Sequence, residues 1–207
     1  MTSRTPTAPV LLALIATLIA ASAPAAQLFD FDAQAVVPTT VGAEVIMRGR
    51  IVNGNAVPTP IPLDFANYEY TIVVAGLTLI SAAPTSVFAG GSVTIYQDAT
   101  TPADWTNPAS FADGTAILSG SLASFSRTMF TATLGSGAGL VDWDSGSRLN
   151  DLAAADRLGW PLLTSVSQAP NQVQPGYTER WDGKVEPTSP VVATRTNSWS
   201  LLKASYR

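Results

Sequence analysis

The chain has 207 residues, 11 of them basic and 15 acidic, for a formal charge of −4, and it contains neither cysteine nor histidine. The missing histidines exclude Ser-His-Asp and Cys-His catalysis, the H-E-x-x-H zinc site and every imidazole proton shuttle. The missing cysteines exclude disulfides, thiolate zinc sites and a lipid-modified cysteine, and mild acidity without basic clusters argues against nucleic acid and anionic membrane surfaces as partners.

Residues 1–26 read as a secretory signal peptide. Arg4 supplies a positive lead, residues 10–21 (VLLALIATLIAA) an apolar core, and Ala23 and Ala25 an A-x-A cleavage pattern. The apolar run of 12 residues is too short for a membrane span, which needs about 20. Cleavage after Ala25 or Ala26 is expected. The protein is then secreted or extracytoplasmic, in the periplasm, at the cell surface or outside the cell. Removing the leader takes Arg4 with it, so the exported chain is slightly more acidic.

From Gln27 the pattern has period two. Residues 44–52 (EVIMRGRIV) place Val45, Met47 and Ile51 on one face and Glu44, Arg48 and Arg50 on the other. Asn53-Gly54 follows as a turn pair. Pro58, Pro60 and Pro62 predict an extended loop. Residues 68–79 carry the clearest strand signal, with Tyr68, Tyr70, Ile72 and Val74 alternating against Glu69, Thr71 and Val73, and Gly76 as a break or bulge. Segments 86–88 and 93–96 flank Ala89-Gly90-Gly91-Ser92 and read as a hairpin. Segments 115–122 and 128–134 read as a second hairpin, and 139–143 as a short strand. Gly135, Gly137 and Gly139 lack the G-x-G-x-x-G spacing and any Walker lysine, and read as a flexible turn. Residues 148–158 (RLNDLAAADRL) are the one internal helical pattern, with Ser147 as N-cap and Gly159 beyond the end. Residues 176–187 predict a final strand or hairpin turning at Asp182-Gly183.

A Pro/Thr/Ser/Val-rich linker follows from about 187, and 198–207 (SWSLLKASYR) ends in an amphipathic tip. On a helix Trp199, Leu202 and Tyr206 form one stripe, a candidate docking or sorting tail. The expected organisation is a signal peptide over 1–26, one domain over 27–186, and linker plus tail over 187–207. The expected fold is all-β, an antiparallel β-sandwich or jelly-roll-like domain with one short helix around 148–158.

Three constellations offer chemistry. Trp105, Trp143, Trp160 and Trp181 each stand beside Asp, Gly or Pro, which predicts loop positions. Amphipathic ring faces there suit sugars, and Trp105, Trp143 and Trp181 with Asp182 are the candidate ligand contacts. Asp142 and Asp144 place two carboxylates at i and i+2, a candidate calcium site that lacks the remaining ligands of an EF-hand. Carboxylate-only glycoside hydrolysis needs no histidine, but Glu44, Glu69, Glu179 and Glu186 are the only glutamates. No catalytic residue is assigned and no cofactor beyond calcium is considered. The leading expectation is an exported non-enzymatic β-domain with a surface, matrix or adhesion role. A carbohydrate-binding module using loop tryptophans stands second, and a carboxylate-only glycosidase a distant third. The expected partner is an extracellular glycan or cell-surface component.

Overall fold

The computed structural model describes residues 29–52 and 61–187. The signal-peptide segment 1–26 and the tail residues Trp199, Leu202 and Tyr206 lie outside the described residues. The strands are β1 (Phe29–Val36), β2 (Glu44–Ile51), β3 (Glu69–Ser81), β4 (Ser86–Asp98), β5 (Thr115–Met129), β6 (Leu134–Ser145), β7 (Trp160–Ser167) and β8 (Glu179–Val185).

Each strand pairs antiparallel with its sequence neighbour, and β8 returns to pair with β1, so the eight strands form a closed barrel. The closing seam runs through Phe29↔Val185, Phe31↔Gly183, Ala33↔Trp181 and Ala35↔Glu179. The sandwich or jelly-roll expectation is therefore wrong, although the all-β, antiparallel part of it stands. Both architectures impose the same in–out alternation on a strand. What separates them is the pairing of the first strand with the last, which leaves no local trace in sequence.

The two expected hairpins also fail. β4 and β5 are single strands of 13 and 15 residues. The Gly90-Gly91 pair marks a change of phase within β4. Gly76 in β3 and Gly90 in β4 both adopt positive φ, 76° and 71°, a region open mainly to glycine. Before Gly76 the buried apolar residues are Tyr70, Ile72 and Val74, and after it Leu77 and Leu79. One extra residue on β3 shifts its register against β2 at this point, which is a β-bulge. β4 switches in the same way between Phe88 and Val93. Bends of this kind let long strands coil around a barrel.

The expected helix over 148–158 is two single 3-10 turns, Leu149–Asp151 and Ala154–Asp156. Its backbone is claimed by the barrel instead. Arg148 N–H donates to the Ile117 carbonyl at 2.8 Å, and Trp143 N–H donates to the Arg157 carbonyl at 2.7 Å. Leu152 still packs into the core, as the apolar spacing implied.

The interior is filled. Phe29, Phe31, Phe88, Phe125, Trp160 and Trp181 are almost wholly buried, and Trp181 stacks on Phe125 with centroids 5.0 Å apart. Glycines on the inner face make the room. A Cβ on Gly137 would run into Phe125, and one on Gly183 would meet the Leu163 carbonyl and Phe31. The stretch taken for a flexible glycine turn is thus the first half of β6, and Asp182-Gly183 lies inside β8.

Among the described residues one ion pair, Glu179 with Arg127, enters the interior. Glu179 is 1% exposed and accepts four hydrogen bonds. Arg127 Nε donates at 2.9 Å, Gln168 Nε2 at 2.8 Å and Trp181 Nε1 at 2.9 Å, with Arg127 Nη2 as the fourth donor. The outer wall is polar. Arg180 bridges Asp32 at 2.7 Å and Asp182 at 3.0 Å, and these two aspartates face one another across the β1–β8 seam. Asp32 is the first cause of the raised pKa of Arg180.

Candidate functional site

The long connections, β2–β3, β4–β5 and β6–β7, all emerge at one end of the barrel. A cleft of about 460 Å³ opens there between residues 65–69 and 98–102. Its walls are two locally braced turns. In the first, the Asp64 carboxylate accepts from Ala66 N–H at 3.2 Å and Asn67 Nδ2 at 2.7 Å, and the Asp64 carbonyl accepts from Tyr68 N–H at 3.0 Å. The buried Tyr70 anchors this turn, because its hydroxyl accepts from Asp64 N–H at 3.0 Å. Its ring holds Phe65 edge-on at 5.2 Å and Tyr68 at 6.4 Å. Phe65 keeps 37% of its surface open to solvent.

The opposite wall begins at Asp98, whose carboxylate accepts from Thr100 N–H at 2.8 Å and Thr100 Oγ1 at 3.1 Å. The Thr100 backbone bond, ahead of the other causes, lowers the pKa of Asp98 below its usual range. Glu69 faces Asp98 directly in the β3–β4 register. Like charges so placed repel, and a cation relieves this one: the Glu69 carboxylate takes Arg50 Nε at 3.2 Å and Ala103 N–H at 2.5 Å. The cleft therefore combines exposed ring surface, an amide, hydroxyl groups and an ionised carboxylate on a rigid frame.

The cleft's second wall continues into a strap that explains Trp105. Residues 99–114 fold back over the outer wall of β2 and β3. Thr71 Oγ1 donates to the Phe111 carbonyl at 2.7 Å, and the Arg50 guanidinium lies 5.5 Å from the Trp105 ring centre. Trp105 packs on Phe111 at 4.6 Å and meets the edge of Tyr177 at 5.8 Å. It is half-buried and works as a pin between two loops.

The other sequence-derived candidates are dispersed. Trp143 and Trp181 are 2% and 0% exposed and lie in β6 and β8, within strands and not in loops. Trp143 crosses Trp160 at 5.7 Å and Phe29 at 6.2 Å in the core. Neither indole presents a face to a ligand. Asp182 is exposed on the outer wall with Arg180. Asp142 and Asp144 do share one face of β6, but Asp142 accepts from Gly159 N–H at 2.7 Å and Asp144 from Ser145 Oγ at 2.7 Å. Among the described residues no group of three or more His, Cys, Asp or Glu is placed to hold a metal ion.

A second depression, about 590 Å³, lies on the outer wall beside Ser136, Leu163, Ser165, Asp182 and Lys184. It has no aromatic lining. Of the cleft residues, the sequence pattern marks Tyr68 only as a strand position and singles out neither Phe65 nor Asn67. The available signal was Asp64 and Asp98, each two residues before the donor it caps, at the ends of strand patterns.

No family model matches the chain, no curated protein matches it, and no solved structure matches it.

Proposed function

We propose that this chain is an exported, non-enzymatic β-barrel with a surface, matrix or adhesion role, and that it meets an extracellular glycan at the cleft beside Phe65, Tyr68 and Asp98. The observation that supports this reading most is the pairing of ring faces with fixed polar groups in that cleft. A sugar ring offers the matching surface, C–H groups on one face and hydroxyls around the edge. Aromatic rings take the first, and carboxylate, amide and threonine groups take the second. The interior is packed with side chains, so a ligand has to be met outside the barrel. The proposal assigns no reaction. Glu179 is sealed inside, and Glu69 is already engaged by Arg50 and Ala103.

Among the described residues every strand lies between Phe29 and Val185, so a chain beginning at Gln27 retains the eight-stranded barrel. That chain is to be screened on a glycan array beside its Phe65→Ala and Asp98→Ala variants. The reading expects binding to at least one glycan, weakened by about tenfold in each variant, the worth of one good contact. Retention of no glycan would overturn it, as would binding indifferent to both substitutions. N-terminal sequencing of protein recovered from the medium or envelope tests export, with Ala26 or Gln27 expected first.

A further inference from the structure

The two ends of the barrel differ in charge. The long-loop end carries Asp64, Asp113, Arg148, Asp151, Asp156 and Arg157 in its connections, while Asp104 lies on the strap that folds down the outer wall to meet Tyr177 through Trp105. The connections at the other end, 37–43, 82–85, 130–133 and 168–178, contain no Asp, Glu, Lys or Arg. Antiparallel order brings all four to the same rim. Exposed apolar side chains gather on that rim: Phe130 at 69% exposure, Val41 at 60%, Leu134 and Ile80 at 54%, with Val36 and Val87 beside them. The nearest exposed charge, Glu44, opens β2 opposite Thr78, so β3 runs on past it to Ser81. The Arg127–Glu179 pair at this end neutralises itself inside.

We propose that this uncharged rim seats the protein on a lipid surface, entering the interfacial layer by its loop tips without spanning it. Removal from water is expensive for charges and for unpaired backbone groups, and the rim is poor in both. Phe130 and Thr131 N–H groups donate to the Leu134 carbonyl, Gly42 N–H to Leu79 and Ala43 N–H to Thr40. Thr133 and Leu134 N–H groups both donate to Thr131 Oγ1. The absence of charge matches an uncharged lipid interface, and binding there scales with the apolar area inserted. The polar wall with Asp32, Arg180 and Asp182 stays in water, and the acidic end points away, leaving its cleft open. No helix among the described residues is long and apolar enough to cross a membrane, and this attachment needs none.

The test is flotation of the chain from Gln27 with phosphatidylcholine vesicles. The comparison set is Phe130→Asp, Leu134→Asp, and Leu158→Asp at the opposite end, where Leu158 is equally open at 65% exposure. All three sites are exposed, and a melting curve of each variant checks the fold. The proposal expects flotation at low and high salt alike, a fall of about tenfold for Phe130→Asp and Leu134→Asp, and no change for Leu158→Asp. Absence of flotation overturns it. So does flotation that salt abolishes, or that depends equally on all three sites. A dimer in light scattering that Phe130→Asp dissociates would assign the rim to a second copy and likewise overturn it.

Discussion

Glu179 is the residue on which interior electrostatics turns. A carboxylate taken from water survives only with its lone pairs occupied, and here Arg127, Gln168 and Trp181 occupy them. Removing one partner strands the other. Glu179→Ala is expected to lower unfolding stability by about 3–5 kcal/mol, because Arg127 is then buried and unpaired. Arg127→Met combined with Glu179→Met removes both charges and should recover most of that loss in urea denaturation. A double variant no better than the sum of its singles would mean that the pair does not act as a unit. Arg180 illustrates the weaker, outer case. It separates two aspartates that face each other, but in water such a bridge contributes little.

At the level of elements, the sequence was legible where alternation was clean. The alternation over 44–52 and 68–79 predicts β2 and β3 nearly to their ends, and Gly76, expected as a break or bulge, lies at the β3 register shift. Legibility failed where the barrel needs small inner residues. Glycines in β4 and β6 look like turn chemistry, yet Gly91, Gly137 and Gly139 are spacing residues against Leu77, Phe125 and Leu122. The tryptophans misled for the complementary reason. Asp and Gly beside Trp181 suggested a loop, but Asp182 faces out and Gly183 faces in on one continuous strand. Gly183→Ala tests this. The added methyl would meet the Leu163 carbonyl, which is backbone and yields little. A loss of about 1–3 kcal/mol is expected from such overpacking, read as a lower denaturation midpoint. A neutral substitution would contradict the tight β7–β8 approach. The candidate site was less legible than the strands, since its two walls meet only through the β3–β4 register, which brings Glu69 opposite Asp98.

Seen whole, the molecule is a filled barrel with two unlike ends. The next-neighbour order makes every strand pairing local except the β1–β8 seam, which alone converts a meander into a closed wall. Closure leaves no free sheet edge for strand addition among the described residues, so the proposed recognition is assigned to the rims. One rim is charged and holds a cleft with aromatic and carboxylate groups, and the other is uncharged and carries exposed apolar side chains beside the amides of 168–178. That division supports the proposed surface role, which needs no lumen. The most direct measurement is amide chemical-shift mapping of the chain from Gln27 during titration with the glycan it binds best. The account predicts perturbations concentrated at residues 65–69 and 98–102. Perturbations confined to the outer wall around Leu163 and Asp182, or absent with every glycan tried, would contradict it.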